Sequence, residues 1–168
     1  VFVVGISMGS VLALHLSTIF PLNAAVFGAT VLQFKDYFGI RVLTPILHKI
    51  IHTRDKRLSY PPNIRNKIPY YGYPVWPMSA VNEMRKLSNK VKKGLSKVNV
   101  PALIIHSEKD KLQLPSNTSL VYNSISSDIK EKLILKNAGH NFFDNSPDQD
   151  MVFQKVGSFF NQFLDLKK

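Results

Sequence analysis

Ser7 is the first residue of this chain whose surroundings indicate chemistry. It lies in the motif Gly5-Ile6-Ser7-Met8-Gly9, between an apolar run at residues 1–4 and a helical pattern at residues 10–18. In that context a G-x-S-x-G motif is typical of a sharp strand-to-helix turn that exposes a serine hydroxyl, and such a turn leaves no room for side chains at either glycine. The turn would place Ser7 Oγ at the positive end of the helix, with the Met8 backbone N–H facing a developing oxyanion. The pattern predicts a serine nucleophile that attacks a carbonyl carbon; the alternative is a glycine- and serine-rich turn without chemistry.

A serine hydroxyl needs a general base and a carboxylate that orients the base, and two loops of the chain offer them. His140 follows the predicted strand 131–135 and precedes the last helix, while Asp110 follows the predicted strand 101–106, with Glu108 as its competitor. Because the carboxyl ends of parallel strands lie at one edge of a sheet, these side chains are expected to converge on Ser7. The order Ser7, Asp110, His140 also matches one of the three common orders of a serine triad along a chain.

The other histidines are predicted to be structural. His106 lies in or at the end of a strand and His15 on a buried helix, so both are expected in the core. His48 and His52 have the spacing of two zinc ligands on a helix, but no third ligand accompanies them in a recognisable pattern. The chain has no cysteine, which excludes disulfides, a thiolate nucleophile and Cys-ligated zinc. No metal ion and no other cofactor are therefore expected.

Four apolar runs alternate with helical patterns and predict a mostly parallel α/β sheet with helices on both faces. The predicted strands are residues 1–4, 24–28, 101–106 and 131–135, and the predicted helices of this part are residues 10–18, 116–124 and 151–164. Residues 1–34 carry no charged side chain. Polar residues and glycines interrupt them, however, so they contain no run of about 18 apolar residues, which a transmembrane segment needs. Since the chain enters its first strand without a leading Met and a typical sheet has about five or six strands, N-terminal strands are expected upstream of residue 1.

Residues 33–79 differ in character from the segments on either side. A helix with one apolar face is predicted at residues 41–52, and prolines with interspersed tyrosines follow: Pro61, Pro62, Pro69, Pro74 and Pro77 among Tyr60, Tyr70, Tyr71 and Tyr73. Because proline removes backbone donors and fixes φ, this segment is predicted to be a loop-rich insertion or lid outside any sheet. A lysine-bearing helix is predicted next, at residues 79–98. The chain therefore divides into a core half at residues 1–32, an insertion at 33–79 and a second core half at 80–168.

Three stretches of the chain resemble the α/β-hydrolase superfamily, and within it the small microbial carboxylesterases and monoacylglycerol lipases: residues 5–9, residues 100–110 and residues 138–140. The run Tyr73-Pro74-Val75 before the lysine-rich helix is similar to that group as well, and the resemblance covers nearly the whole chain. It implies the α/β-hydrolase fold, with Ser7 as nucleophile, Asp110 as orienting acid, His140 as general base and the Met8 N–H as one oxyanion donor. It also implies that residues 33–79 form a cap that shapes an acyl or alcohol pocket.

The chain departs from that family at two points. Ser107 stands where such enzymes often carry glycine, a modest change in a turn that is expected to preserve activity. The second oxyanion donor of the family comes from a loop after an upstream strand, for which no segment is found here, and losing one such donor costs about 10²–10³ in kcat. We expect residues 1–168 alone to be inactive and poorly soluble, and the intact protein to hydrolyse short-chain esters or monoacylglycerols.

Other functions stay open on the sequence alone. The same triad could cleave thioesters, amides or lactones in place of carboxylic esters. The net charge of +11 and the lysines of residues 86–97 suggest an alternative function, that of a non-catalytic basic protein that binds nucleic acid or anionic lipid. Lysines without interleaved aromatics or a recognised motif favour a solvated helix face instead, so no nucleic-acid partner is expected. We also expect a small-molecule ester substrate and a cytoplasmic location. The sequence leaves the oligomeric state undetermined.

Overall fold

The computed structural model describes residues 1–59 and 73–164, and these residues form six strands and five α-helices. The strands are β1 (Phe2–Ile6), β2 (Ala24–Gly28), β3 (Thr53–Asp55), β4 (Val75–Pro77), β5 (Ala102–Ser107) and β6 (Lys130–Leu135). The helices are α1 (Met8–Ser17), α2 (Thr44–Leu47), α3 (Met78–Lys93), α4 (Ser116–Ser124) and α5 (Gln149–Asn161). The predicted bounds of β2 and α4 are confirmed, and those of β1, β5, β6, α1 and α5 differ by three residues or fewer.

Strands β1, β2, β5 and β6 form one parallel sheet in the order β1-β2-β5-β6. At its carboxyl edge Ile6 pairs with Gly28, Gly28 with Ile105 and Ile105 with Leu133. Because all four strands run in the same direction, the turns that follow them lie along this one edge. The predicted parallel α/β sheet is confirmed, and its carboxyl edge is where the candidate residues are carried.

Both faces of the two central strands, β2 and β5, are buried. On one face α5 packs Val152 and Phe159 into a cluster with side chains of the strands, namely Ala24, Val26, Leu103, Ile105 and Leu135. The alternate positions Phe27 and Ile104 are buried as well, and successive side chains of a strand point to opposite faces. Burial of each such large apolar side chain contributes about 1.5–3 kcal/mol. Coverage of both faces explains why these strands read as continuous apolar runs in the sequence.

The described residues of the range Asp36–Leu87 form a compact unit of their own, which contains a sheet that the sequence did not predict. Strands β3 and β4 pair antiparallel, with Thr53 opposite Pro77 and Asp55 opposite Val75. The prediction of no sheet in this insertion is wrong because each strand of a two-stranded sheet has a free edge, where a proline can stand without breaking a hydrogen bond of the ladder. The predicted helix 41–52 is shorter, a π-helical turn (Gly39–Leu43) followed by α2. The prolines and tyrosines predicted between residues 60 and 72 lie outside the described residues.

The second compact unit contains residues 1–35 and 88–168, and it holds the four-stranded sheet. Residues of helix α3 belong to both units. The helix predicted at residues 79–98 ends at Lys93, because a turn at Gly94 separates it from a short 3₁₀ helix (Leu95–Lys97). Within this unit the buried Ser88 Oγ donates a hydrogen bond to the Val31 carbonyl at 2.7 Å. The assignment of residues 33–79 as a cap stays a prediction.

Apolar side chains are exposed on β1 and α1, where the sequence predicts a buried strand and a buried helix. Val4 is 46% exposed, Leu12 44% and Leu16 38%, and His15 is only partly buried. Strand β1 lies at the edge of the sheet and pairs with β2 alone among the described residues. The prediction of a buried helix with His15 in the core is therefore wrong for this face of α1, which no described element covers, whereas Val11 and Leu14 on the other face are buried.

Candidate active site

Ser7 occupies a strained turn between β1 and α1. Its φ is 56° and its ψ is −121°, a combination that residues other than glycine rarely adopt. The Ser7 N–H donates to the Gly28 carbonyl at 2.8 Å, and the Ser10 N–H donates to the Ser7 carbonyl at 3.1 Å. These bonds fix the turn against strand β2 on one side and against the first turn of α1 on the other. Such a backbone conformation costs about 1–3 kcal/mol and is found preferentially at functional sites.

The two glycines of the motif stand in different surroundings. A Cβ on Gly5 would lie 2.2 Å from the Gly9 carbonyl oxygen and 2.8 Å from the Ser10 backbone nitrogen. Gly5 is therefore required by the close approach of β1 to α1. A Cβ on Gly9 would meet no atom of the described residues within 4 Å, so the prediction that the turn leaves no room for a side chain there is wrong. Gly9 is the second residue of α1, and its Cβ position is open.

The backbone N–H of Met8 lies at the first position of α1, directly after Ser7. The first four N–H groups of a helix have no acceptor within the helix. The aligned peptide dipoles also place a partial positive charge of about one half at this end, and no acidic side chain occupies the first turn to cancel it. These properties suit an oxyanion donor, and the role of Met8 stays a prediction.

Asp110 has a buried carboxylate whose two oxygens both accept hydrogen bonds. Its Oδ1 accepts the backbone N–H of Leu112 at 2.8 Å and that of Gln113 at 2.9 Å, and its Oδ2 lies 2.8 Å from His140 Nδ1. Burial alone would raise the pKa of Asp110, but the hydrogen bonds from His140 and from the two backbone N–H groups outweigh it and hold the pKa below its usual value. Asp110 is therefore an ionised carboxylate at neutral pH. Its competitor Glu108 is exposed.

His140 is oriented by Asp110. Because an ionised carboxylate only accepts, His140 Nδ1 carries the proton of this hydrogen bond, which leaves Nε2 as the acceptor nitrogen of the neutral ring. The imidazole is 19% exposed, whereas the carboxylate side chain has no exposure. The structure therefore brings two of the three predicted residues together. Ser7 Oγ makes no hydrogen bond to any described residue, so its contact with His140 stays a prediction; in enzymes without substrate such bonds are often long.

A second imidazole lies beside the same carboxylate. His106 is buried, with 1% exposure, as the sequence predicts, but its Nε2 is also 3.5 Å from Asp110 Oδ2. Neither of its ring nitrogens makes a hydrogen bond within the described part of the chain. Burial lowers the pKa of His106; the charge of Asp110 opposes this effect, and His140 and Lys35 add to it. The ring is therefore neutral at pH 7. No sequence signal indicates this contact, because a four-residue spacing brings side chains together on a helix, whereas His106 lies on strand β5.

Two side chains that sequence reasoning did not assign to the site hold the loop that carries His140. Ser107 Oγ donates to the Ala138 carbonyl, and Asp148 Oδ2 accepts the backbone N–H groups of Asn137 at 3.0 Å and of Ala138 at 2.9 Å. The bond from the Asn137 N–H is the main reason that the pKa of Asp148 lies below its usual value. No local pattern indicates these contacts, because Ser107 lies 31 residues from its partner along the chain.

Neither a metal-binding group nor a membrane-spanning helix is found among the described residues. Within residues 1–59 and 73–164, no three His, Asp or Glu side chains are grouped so that they could hold a metal ion. No helix in the same ranges combines the length and the hydropathy that crossing a bilayer requires.

Comparison with known proteins gives one family. The model of the family described as "Serine aminopeptidase, S33" matches residues 1–148. A curated relative, the thermostable monoacylglycerol lipase of Bacillus sp. (strain H-257), is 27% identical over an alignment of 177 positions, which covers 95% of this chain and 62% of that protein. The chain thus spans less than two thirds of the length of this relative.

Solved structures agree on the fold. A metagenome-derived lipolytic enzyme of the LipS and LipT pair matches with a TM-score of 0.75 and 25% identity, over 96% of this chain and 64% of that chain. A soluble variant of monoglyceride lipase from Saccharomyces cerevisiae, solved with a substrate analog, matches with a TM-score of 0.76 and 15% identity, over 96% of this chain and 62% of that chain. The latter likeness shows the fold alone. With the family match over residues 1–148, these findings establish that the chain belongs to the hydrolase family described as serine aminopeptidase, S33, and that it has the α/β-hydrolase fold.

Proposed function

We propose that the protein is a serine hydrolase that cleaves carboxylic esters through an acyl-enzyme on Ser7. One observation carries the proposal: a buried, ionised Asp110 orients the imidazole of His140 by a 2.8 Å hydrogen bond at the sheet edge that also carries the Ser7 turn. An oriented imidazole and a serine on a strained turn are the parts that general-base activation of a hydroxyl needs. Because the chain spans less than two thirds of its relative, the proposal concerns the native protein that carries these residues.

Each residue has one role in the proposed reaction. Ser7 Oγ attacks the carbonyl carbon while His140 Nε2 takes its proton, and the Met8 N–H stabilises the negative charge that develops on the carbonyl oxygen. Asp110 holds the His140 tautomer and stabilises the imidazolium. His140 then gives the proton to the alcohol oxygen as the bond between that oxygen and the carbonyl carbon breaks. A water molecule, deprotonated by His140, then attacks the acyl carbon; the bond from this carbon to Ser7 Oγ breaks, His140 returns the proton to Ser7 Oγ, and the carboxylic acid leaves.

The proposed substrates are short-chain esters or monoacylglycerols. The name of the curated relative, a monoacylglycerol lipase, supports the second class. Cleavage of an amide bond is the second candidate, and the aminopeptidase description of the family favours it. Thioesters and lactones are further substrates of the same chemistry. A cytoplasmic location and the lack of a nucleic-acid partner stay predictions.

A substrate panel tests the proposal. The native protein is assayed with p-nitrophenyl butyrate, a monoacylglycerol, an acyl thioester and an aminoacyl p-nitroanilide, beside Ser7→Ala and the control Ser158→Ala, which removes an exposed hydroxyl on α5. We expect hydrolysis of the two esters that is lost in Ser7→Ala and kept in Ser158→Ala. A higher kcat/KM for the anilide than for either ester would move the assignment to the amide class. Ester hydrolysis that survives in Ser7→Ala would refute the proposal.

A further inference from the structure

Ser107 makes hydrogen bonds to both of the loops that carry catalytic residues. It is the last residue of β5, it is 1% exposed, and the turn that leads to Asp110 begins at it. Its carbonyl accepts the Asp110 N–H at 3.1 Å, and its Oγ accepts the Lys109 N–H at the same distance. The same Oγ donates its proton to the Ala138 carbonyl, two residues before His140. We infer that Ser107 is a positioning residue that fixes the His140 loop to the Asp110 loop.

The His140 loop needs such a tether because the sheet does not hold it. The last backbone hydrogen bond between β6 and the segment that leads from β5 to Asp110 runs from the Glu108 N–H to the Leu135 carbonyl, at 2.9 Å. Beyond Leu135 no helix or strand occurs until α5 begins at Gln149. His140 therefore lies on a segment without regular backbone hydrogen bonds, and side chains must fix its position.

The tether acts on the peptide groups of a single buried residue, Ala138. Its carbonyl accepts the Ser107 hydroxyl, and its N–H donates to Asp148 Oδ2 at 2.9 Å. Asp148 immediately precedes α5, so the two bonds connect Ala138 to the end of β5 on one side and to the start of α5 on the other. Removing the Ser107 hydroxyl frees one side of Ala138 and leaves its buried carbonyl without this donor.

The consequence for catalysis follows from the distance that the tether controls. His140 Nδ1 and Asp110 Oδ2 are 2.8 Å apart, and both of the loops that carry them depend on Ser107. A misplacement of about 1 Å in a catalytic group costs about 10²-fold in rate. The sequence predicts that a serine at position 107 is a modest change in a turn. Here its hydroxyl has a role in positioning His140, and this role rests on the proposed function.

The test compares Ser107→Ala with Ser107→Thr, which keeps a hydroxyl, and with Ser88→Ala. Ser88 is a matched control because it too is a buried serine whose Oγ donates to a backbone carbonyl, and its partner Val31 belongs to neither catalytic loop. Two readouts are taken on the native protein: the low-field proton resonance of His140 Nδ1–H, and kcat with KM for p-nitrophenyl butyrate. We expect Ser107→Ala to lose or broaden the resonance and to lower kcat at least about tenfold, with KM changed less than about twofold. Ser107→Thr should restore both readouts, and Ser88→Ala should leave both near wild type.

The two readouts separate a failure of this inference from a failure of the proposed function. An unchanged resonance in Ser107→Ala overturns the inference, whether or not the wild type hydrolyses esters. Equal losses of kcat in Ser107→Ala and Ser88→Ala also overturn it, because the hydroxyl would then only stabilise the fold. If Ser107→Ala does not fold, Ser107→Cys takes its place, since a thiol keeps the shape but is a weak donor; a wild-type resonance in that variant contradicts the inference.

Discussion

Replacing Asp110 by asparagine tests the central interaction of the site, because the structure dictates how the new amide must lie. Oδ1 accepts two backbone N–H groups, from Leu112 and Gln113. An amide NH₂ cannot accept there, so the amide oxygen takes the position of Oδ1 and the NH₂ takes that of Oδ2, 2.8 Å from His140 Nδ1. Nδ1 must then accept, which moves the ring proton to Nε2. His140 loses the lone pair with which it would take the proton of Ser7.

The expected loss is large because the wrong tautomer removes base catalysis while leaving the fold intact. In a serine triad the same substitution lowers kcat about 10⁴-fold, which corresponds to about 5.5 kcal/mol of transition-state stabilisation. The measurement is kcat for p-nitrophenyl butyrate in the native protein and in Asp110→Asn. Asp128→Asn is the control, because it makes the same chemical change at an exposed acid of the same compact unit.

A loss of less than about tenfold in Asp110→Asn would refute this reasoning, provided that the near-UV circular dichroism of the variant matches the wild type. It would mean that the base does not depend on Asp110 for its tautomer. Equal losses in Asp110→Asn and Asp128→Asn would point instead to a general effect of the charge.

Three further predictions concern the turn, the buried imidazole and the exposed helix face. Gly5→Ala should lower the free energy of unfolding by at least about 2 kcal/mol, since its Cβ would lie 2.2 Å from a backbone oxygen. Gly9→Ala should raise the free energy of unfolding by about 0.4–1 kcal/mol, because its Cβ position is open. Urea unfolding of both variants checks this prediction, and equal effects would contradict it. The lowered pKa of His106 means that the unfolded chain binds more protons below pH 6.5, so stability should fall as the pH drops through that value, by up to about 1.4 kcal/mol per pH unit. His106→Leu should flatten that slope, and an unchanged slope in urea unfolding between about pH 5 and 7 would show that His106 binds the same number of protons in both states, so that folding does not lower its pKa. Residues 1–168 expressed alone should self-associate through exposed apolar side chains, and Leu16→Lys should reduce the association seen by light scattering; scattering independent of this substitution would exclude the α1 face.

The sequence predicted those parts of the fold that local pattern and chain direction determine. Strand β2 and helix α4 were predicted with their observed bounds, because β2 is an apolar run that ends at Gly28 and α4 follows Pro115. Asp110 and His140 were predicted to meet because both follow strands of a parallel sheet, and the 2.8 Å bond between them agrees with that reasoning.

The rest depended on partners that are distant along the chain. The bonds of Ser107 and Asp148 to Ala138 join residues 31 and 10 positions apart, and a single sequence gives no sign of either. The steric difference between Gly5 and Gly9 arises from how closely β1 approaches α1, which the motif alone does not contain. The sequence did not predict the β3–β4 sheet, because closely spaced prolines indicate loops, although the free edge of a two-stranded sheet tolerates a proline.

Covalent labelling of the native protein with a fluorophosphonate probe tests the nucleophile most directly. We expect a single phosphonylated peptide containing Ser7, identified by mass spectrometry, with no label in Ser7→Ala and much slower labelling in Asp110→Asn. Label that persists in Ser7→Ala, or that maps to another serine, would contradict the assignment of this hydroxyl as the attacking group.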